Sequence, residues 1–340
     1  MKGVVFTGNR ELELREFPDP APAEDEVVIE IKASGMCGSD LHVYRSPDGE
    51  GATFIAGHEP CGVVLERGSA VQERFAPAGA RVMVHHYDGC RTCSNCLQGW
   101  TQLCDTGSVV YGRTGHGAHA RYMKIPARTL VPLPEALSFD EGAAVSCGTG
   151  TAYGAIKRML MQGGATLAVI GQGPVGLSAT MLGAAMGARV LAVDVQDDRL
   201  QRATEFGADV VINAARDDAV ERIKELTLGL GAEYAMECCG LPEPSVTALR
   251  SVRTWGTVCF VGMGPEVTYN VAADIIRKQL TIVGSWTFSA TGQKECADFI
   301  AERRLPVGDL FTHRFDLKDA EEAYKLFDTQ TTGKGVILPN

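Results

Sequence analysis

The chain has 340 residues, of which 45% are hydrophobic and 22% charged, and its formal net charge is −10. This length and balance predict an ordinary globular protein with two folded domains. The charges are scattered without a basic cluster, which argues against nucleic acid or an anionic membrane as a partner. The N-terminal residues lack the pattern of a signal peptide, and no window reaches the ~18 apolar residues of a membrane span. We therefore expect a cytoplasmic protein with neither a membrane nor a nucleic acid as partner.

The predicted elements change in character near residue 150. Before it, short strand patterns at 26–33, 61–68 and 81–86 are separated by glycine and proline turns, which is typical of small irregular sheets with long loops. After it, strand and helix patterns alternate, and this alternation predicts βαβ units around a parallel sheet. The predicted strands of this second region are 167–170, 189–194, 210–212, 234–239, 257–262 and 281–286. The last stretch, 287–340, carries two amphipathic helical patterns.

A glycine fingerprint, GQGPVG, follows the strand at 167–170 and opens a helix; its residues include Gly171, Gly173, Pro174, Val175 and Gly176. The first glycine permits a tight turn, the second lets the backbone approach a pyrophosphate, and the third lets the helix pack closely on the strand. Alone, such a fingerprint is a weak signal. Here a strand precedes it, a helix follows it, and an acidic residue ends the next strand, so the pattern predicts a dinucleotide site.

That acidic residue is Asp194, whose carboxylate can accept hydrogen bonds from the ribose hydroxyls of NAD and would repel the extra phosphate of NADP. Asp197 and Asp198 add to this repulsion. Arg199 favours NADP instead, because an arginine can pair with a phosphate. A simpler alternative is that Asp194 only caps the next helix. The sequence favours NAD.

Eleven cysteines are many for a cytoplasmic chain, and four of them lie close together: Cys90, Cys93, Cys96 and, after seven intervening residues, Cys104. Four thiolates at this spacing can surround one tetrahedral zinc and fix a loop. An iron–sulfur cluster is a rival, but ferredoxins have a shorter last gap followed by proline. Two disulfides are a second rival, disfavoured by the expected compartment. The spacing predicts a structural zinc.

A second set of candidate ligands is spread along the chain, at Cys37, His58 and Cys147. Taken singly, a cysteine is usually a small buried hydrophobic residue, and a histidine beside Glu59 is a satisfied polar pair. Two cysteines and one histidine together leave the fourth position of a zinc open to a substrate oxygen. Beside a dinucleotide fingerprint, this set predicts a catalytic metal site.

The sequence resembles the zinc-containing alcohol dehydrogenases of the medium-chain dehydrogenase/reductase superfamily. The motifs that carry the resemblance are CGSDLH at 37–42, GHEPCGVVLERGSAV at 57–71, the four-cysteine lobe, CGTGTAYG at 147–154 and GQGPVG at 171–176, in the family's order and spacing over essentially the whole chain. The resemblance implies an α/β fold in which a Rossmann-type, doubly wound parallel sheet domain is inserted into a mostly-β, GroES-like catalytic domain. The catalytic domain would comprise 1–148 plus 287–340, and the NAD-binding domain 149–286.

The resemblance also implies roles for individual residues. Glu59 would lie in or near the shell of the catalytic zinc, and Asp40 would orient His58 through its other ring nitrogen. Ser39 would touch the substrate oxygen and His42 would pass its proton toward solvent. Further residues would contact the nicotinamide half of the cofactor: Thr151, Val261, Gly262 and Met263.

The implied activity is transfer of a hydride from an alcohol, a secondary alcohol or polyol, to NAD, giving a ketone or aldehyde, with two zinc ions per chain. Several polyol and threonine dehydrogenases of the superfamily have a glutamate as third ligand, where this chain has cysteine. Candidate walls of the substrate pocket are Tyr44, Tyr111 and Trp286, aromatic residues that would suit a secondary or bulky alcohol better than a highly hydroxylated sugar. A homo-oligomer, tetramer or dimer, is expected through an edge strand near 281–286.

Two alternatives stay open at this point: an NADPH-dependent aldehyde or ketone reductase, and a non-enzymatic binding protein on the same fold. Of the remaining residues, we expect Cys238, Cys239 and Cys259 to be buried and inert in strands. His116 and His119 lie in a glycine-rich loop, where surface exposure is expected.

Overall fold

The computed structural model describes residues 1–47, 53–331 and 333–339. These form two compact units: unit 1 is Met1–Gly150 with Phe288–Asn340, and unit 2 is Thr151–Thr287. Within the described residues, no helix has the length and apolar character needed to cross a membrane.

The strands, in chain order, are β1 (Lys2–Gly8), β2 (Glu11–Glu16), β3 (Glu26–Gly35), β4 (Glu59–Arg67), β5 (Arg81–Val84), β6 (Tyr87–Asp88), β7 (Val109–Val110), β8 (Tyr122–Pro126), β9 (Leu130–Pro132), β10 (Thr166–Ile170), β11 (Arg189–Asp194), β12 (Val210–Asn213), β13 (Ala232–Glu237), β14 (Val252–Phe260), β15 (Thr281–Gly284), β16 (Phe311–Asp316) and β17 (Lys334–Leu338).

The α-helices are α1 (Asp40–Arg45), α2 (Ser94–Leu97), α3 (Phe139–Ala144), α4 (Gly150–Arg158), α5 (Pro174–Ala185), α6 (Asp197–Glu205), α7 (Ala219–Leu226), α8 (Pro242–Ser251), α9 (Ala290–Arg303) and α10 (Ala320–Asp328). Two π-helical turns, Val145–Thr149 and Val271–Ile276, complete the longer helical segments.

Unit 1 is built on a mostly antiparallel sheet in the order β16-β17-β3-β4-β5-β9, with β8 also paired to β3. The strand β3 alternates core and partly exposed positions, and its inward residues, such as Val27, Ile29 and Ile31, are fully buried. The last segment of the chain returns to this sheet, because β17 pairs antiparallel with β3, placing Ile337 opposite Ser34. Residues far apart in sequence therefore meet at the end of β3.

Unit 2 is a six-stranded, fully parallel sheet in the order β12-β11-β10-β13-β14-β15. This order is that of a doubly wound dinucleotide-binding fold, so the predicted fold class is confirmed. The central strands are nearly continuous apolar runs, as expected for strands covered on both faces. The strand β14 begins five residues before its predicted start at 257, because a bulge opposite β13 extends the pairing back to Val252.

Candidate metal centres and nucleotide site

The first candidate metal centre lies where β3 and β4 end in unit 1. Cys37 follows β3 by two residues, His58 immediately precedes β4, and the antiparallel pairing of Gly35 with Glu59 brings them side by side. Cys147 comes from the π-helical turn after α3, a kind of irregularity that is frequent at functional sites. The Sγ atoms of Cys37 and Cys147 are 3.9 Å apart. One ligand atom from each of Cys37, His58, Glu59 and Cys147 lies within 4.8 Å of every other.

Asp40, at the start of α1, holds two of these groups in place. Its Oδ1 is 2.8 Å from Nδ1 of His58, and its Oδ2 accepts a hydrogen bond of 2.9 Å from the backbone N–H of Cys37. Burial disfavours the charge of Asp40, but the attraction and hydrogen bond of His58, with smaller contributions from His119 and the Cys37 amide, together outweigh it and hold the pKa of Asp40 at about 2. An ionised carboxylate on Nδ1 leaves Nε2 of His58 as the nitrogen that faces the cluster.

Glu59, the fourth member of this cluster, pairs with a lysine from a distant part of the sequence. Its Oε2 is 2.5 Å from Nζ of Lys334, and the two side chains are only 0% and 3% exposed. Burial raises the pKa of the Glu59 carboxyl, which Lys334 opposes. A Cβ at Gly35 would collide with Oε2 of Glu59, so glycine is needed for this close approach.

The residues present fit a catalytic zinc. At Zn–S distances of about 2.3 Å, two thiolates on a tetrahedral zinc lie roughly 3.8 Å apart, which agrees with the distance between Cys37 and Cys147. The pKa of Cys37 is well lowered, first by its hydrogen bond with Cys147 and then by His58, which favours the thiolate that binds metal. Oε1 of Glu59 is buried without a hydrogen-bond partner among the described residues. Two sulfurs and one imidazole are donors that zinc prefers.

Ser39 and His42 flank this cluster. Ser39 Oγ is 3.3 Å from Nε2 of His58 and donates a hydrogen bond of the same length to Sγ of Cys37. It therefore lies on the ligand side of the imidazole. His42, on the first turn of α1, is exposed, and its backbone N–H donates to the carbonyl of Ser39.

The second candidate metal centre is the four-cysteine lobe around α2. Its four thiols each lie within 4.8 Å of the others, as the spacing predicted: Cys90, Cys93, Cys96 and Cys104. Backbone N–H groups point at two of the sulfurs, from Cys90 to Cys104 Sγ at 3.2 Å and from Cys93 to Cys90 Sγ at 3.4 Å. Hydrogen bonds from Thr92 and the backbone lower the pKa of Cys90 to about 5. All eleven cysteines are free of disulfides.

The dinucleotide fingerprint lies in unit 2 between β10 and α5. Gly171 has φ of +91°, a left-handed conformation that favours glycine. A Cβ at Gly176 would overlap the carbonyl oxygen of Gly171, so the third glycine allows the helix to approach the strand. No described atom lies within 4 Å of the position of a Cβ at Gly173, the residue that caps α5 ahead of Pro174. The amides that open α5, including that of Val175, form a site suited to an anion.

Asp194 ends β11 beside this turn. Its Oδ2 accepts a hydrogen bond of 2.7 Å from the backbone N–H of Gln172, inside the fingerprint, and its Oδ1 accepts from Val195 and Gln196. Arg199 lies 3.7 Å from Oδ2, and Asp197 is occupied by a two-pronged pair with Arg216. Asp194 therefore stabilises the fingerprint turn. It also stands at the carboxyl end of β11, where the ribose of a dinucleotide is expected.

The other residues predicted to contact the cofactor lie in unit 2 as follows. Val261 and Gly262 follow β14 and donate backbone hydrogen bonds of 3.0 and 3.1 Å to the carbonyl of Glu237 at the end of β13. Met263 is exposed and Thr151 is buried. These hydrogen bonds connect the carboxyl ends of β13 and β14. Doubly wound sheets bind their ligands at this edge.

The three aromatic pocket candidates have different surroundings, each described within its own unit. Tyr44 is 1% exposed and packs in the core of unit 1 against Phe6 and Tyr324. Tyr111 is partly buried against a second apolar cluster of unit 1, and Trp286 belongs to unit 2. Residues two positions apart on a helix point to nearly opposite sides. Because His42 occupies the exposed side of α1, the side chain of Tyr44 points into the core.

Several residues near the first centre gave no signal in the sequence. The ring of His86 lies 5.0 Å from that of His58, and Lys334 pairs with Glu59. The expectation of an exposed His119 is wrong, because its side chain is fully buried. The expectation of a buried Cys239 is also wrong, because β13 ends at Glu237 and Cys239 is exposed beyond it.

Comparison with known proteins adds to this geometry. The family model described as zinc-binding dehydrogenase matches residues 174–302, and that described as alcohol dehydrogenase GroES-like domain matches residues 23–135. The uncharacterised zinc-type alcohol dehydrogenase-like protein YphC of Escherichia coli K12 is 37% identical, covering 99% of this chain and 98% of its own. Sorbitol dehydrogenase of Bacillus subtilis 168 is 32% identical, covering 95% and 92%. Alcohol dehydrogenase TADH from Thermus sp. ATN1 superposes with a TM-score of 0.91 at 28% identity over 99% of both chains.

A doubly wound nucleotide unit, together with a cluster of two cysteines and a histidine in a second unit, defines a zinc-dependent dehydrogenase. The chain belongs to the zinc-dependent alcohol dehydrogenases of the medium-chain dehydrogenase/reductase superfamily. It is an oxidoreductase, and the cofactors of its class are zinc and a nicotinamide nucleotide.

Proposed function

We propose that the chain oxidises a secondary alcohol or polyol, with NAD as hydride acceptor and with Cys37, His58 and Cys147 as ligands of the catalytic zinc. The observation that carries the proposal is the cluster of ligand atoms within 4.8 Å, with Asp40 on the far nitrogen of His58. When bound, zinc supplies the Lewis acidity that favours loss of the alcohol proton, and the nicotinamide supplies the place for the hydride.

The protein's own residues orient the ligands and move the proton. Asp40 keeps the proton on Nδ1 of His58 and so presents Nε2 to the cluster. Ser39 Oγ, on the Nε2 side of that ring, accepts the proton of the substrate hydroxyl and gives up its own hydroxyl proton in the same step. His42, exposed one helical turn away, takes up the proton that Ser39 releases and passes it to solvent. Glu59, held by Lys334, keeps a buried carboxyl beside these ligands.

The four-cysteine lobe holds the second zinc and stabilises its loop in our proposal. Its donors form a closed set of four thiols without a position for substrate. The catalytic unit and the nucleotide unit then correspond to unit 1 and unit 2.

The preference for NAD rests on Asp194. Its carboxylate is the acceptor at the end of β11, and it would repel a 2′-phosphate. Arg199, 3.7 Å from that carboxylate, is the feature that favours the alternative, an NADPH-dependent reductase.

We further propose a cytoplasmic homo-oligomer. The strand β15 is the edge of the parallel sheet of unit 2, and Ile282 on it and Trp286 just after it are 42% and 45% exposed. An apolar edge strand is a template for pairing with another chain, here a second copy. Eleven free cysteines suit a reducing compartment.

The test is a substrate panel. Sorbitol, butane-2,3-diol and propan-2-ol are each compared by kcat/KM with NAD and with NADP, beside Cys147→Ser as the control without the catalytic site. We expect turnover of at least one alcohol with NAD, which Cys147→Ser abolishes. A higher kcat/KM with NADP would overturn the cofactor assignment, and a fully zinc-loaded protein inactive on the whole panel would overturn the alcohol assignment.

A further inference from the structure

A line of buried polar side chains runs through the core of unit 1 and ends on the candidate ligand His58. Oγ of Ser34 lies 2.8 Å from Nδ1 of His119, and Nε2 of His119 lies 2.7 Å from the hydroxyl of Tyr324. That hydroxyl donates a hydrogen bond of 3.1 Å to Oδ2 of Asp40, whose Oδ1 faces Nδ1 of His58 at 2.8 Å. Four contacts thus connect five side chains.

The direction of every hydrogen bond in this line follows from its members. The hydroxyl of Tyr324 has a single proton and donates it to Oδ2 of Asp40. The hydroxyl oxygen of Tyr324 must then accept from Nε2–H of His119. Burial lowers the pKa of His119 to about 4, so the ring is neutral and its Nδ1 accepts from Ser34. His58 in turn donates from Nδ1, which leaves the lone pair of Nε2 toward the cluster.

Backbone hydrogen bonds and a close contact hold His119 in place within this line. The backbone of His119 donates to the carbonyl of Ala56 and accepts from the N–H of Val4, both at 2.9 Å. Gly57, next to His58, has φ of +88°, and a Cβ there would lie 2.5 Å from Nδ1 of His119. The close approach of the His119 ring to the loop that carries His58 therefore requires glycine.

Tyr324 is fixed by packing as well as by hydrogen bonds. Its ring is fully buried and lies edge-on to Phe6 with centroids 4.8 Å apart. It comes from α10, in the segment that returns to unit 1 at the end of the chain. A fully satisfied buried network of this kind permits one arrangement of its members, because any rotation leaves a donor or acceptor unpaired.

We propose that Tyr324 and His119 are positioning residues, which act through Asp40 to fix the orientation and proton of His58 as a metal ligand. This inference rests on the proposed role of His58 at the catalytic zinc. Partners outside the ligands themselves typically change metal affinity by about 10- to 100-fold when they are removed. Because Tyr324 is one hydrogen bond further from His58 than Asp40 is, we expect a change at the lower end of this range.

The experiment measures the release of each zinc to a chromogenic chelator, with the catalytic zinc identified as the one missing from Cys147→Ser. Tyr324→Phe should release the catalytic zinc about 10-fold faster than wild type, while the zinc of the four-cysteine lobe is released at an unchanged rate. With Co²⁺ in the catalytic site, Tyr324→Phe should also shift the visible absorption bands, which report the ligand geometry.

The matched control is Tyr44→Phe, which removes a hydroxyl from the same aromatic cluster but not from the line. Its zinc release and Co²⁺ spectrum should equal those of wild type. His119→Phe is the second variant and should act in the same direction as Tyr324→Phe. His119→Gln, which can still donate to Tyr324, should restore much of the wild-type rate. In an Asp40→Asn background, Tyr324→Phe should add little, because it acts through Asp40.

Two failures are distinguishable. If wild type holds no zinc that Cys147→Ser removes, the proposed catalytic site is wrong, and the inference with it. If that zinc is present but Tyr324→Phe and His119→Phe lower only thermal stability, with wild-type zinc release and Co²⁺ spectrum, the residues are structural and the inference alone is overturned.

Discussion

The buried pair of Lys334 with Glu59 allows a quantitative prediction. Lys334→Met removes the cation and leaves the Glu59 carboxylate, which is 0% exposed, without its partner. It also removes the hydrogen bond of 2.9 Å from Lys334 Nζ to the carbonyl of Met36. Breaking one side of a buried ion pair costs about 3–5 kcal/mol. For a domain the size of unit 1, each kcal/mol corresponds to roughly 2–4 °C, so its transition should fall by about 6–20 °C.

The assay is differential scanning calorimetry of zinc-loaded and zinc-stripped protein. Only the transition of unit 1 should shift in Lys334→Met, because both partners belong to that unit. The double variant Glu59→Gln/Lys334→Met should recover more than half of the loss, since a neutral pair leaves no buried charge.

The matched control is Lys325→Met, which removes an ion pair of the same 2.5 Å length between Lys325 and Glu321 on the exposed face of α10. Exposed pairs contribute about 0–1 kcal/mol, so little change is expected. If the melting temperature falls no further in Lys334→Met than in this control, or if the double variant is no more stable than the single one, the buried pair does not stabilise unit 1 as predicted.

Three further predictions concern the metal and nucleotide sites. Cys147→Ser should leave NADH binding, followed by fluorescence titration, within about twofold of wild type, because the fingerprint lies in unit 2; a large loss would contradict the separation of the two sites. Cys93→Ser should lose one zinc and melt earlier by circular dichroism, because structural zinc contributes folding energy; an unchanged melting curve would show that the lobe is dispensable. Asp194→Ala should raise KM for NAD by about 10- to 100-fold, because a charged hydrogen bond is lost, and should reduce the difference between KM for NAD and KM for NADP. If the kinetics with both cofactors are unchanged, Asp194 only caps the next helix.

The sequence was most informative where function depends on local pattern. The fingerprint from Gly171 to Gly176 combines backbone constraints within six residues, and the strand and helix around it follow from apolar periodicity. The parallel sheet and the family are confirmed for that reason. Cys37, His58 and Cys147 likewise each lie within a short motif that can be recognised without knowledge of the fold.

What the sequence did not indicate are contacts between distant segments. Lys334 and Tyr324 reach the region around Cys37 only because β17 pairs with β3 and α10 packs on the same core, and no local pattern reports such pairing. His119 lies among glycines, as an exposed residue would, yet its backbone is tied to Val4 and Ala56. Its burial is a consequence of tertiary packing, which periodicity in a short loop does not show.

In our proposal, Cys37, His58 and Cys147 form the catalytic zinc site of an alcohol dehydrogenase, separate from the four-cysteine lobe. The most direct measurement is zinc per chain, by atomic emission, in wild type and in Cys147→Ser, with NAD reduction measured on the same samples. We predict about two zinc ions and turnover for wild type, and about one zinc ion and no turnover for the variant. A variant that keeps both zinc ions and its turnover would contradict this proposal.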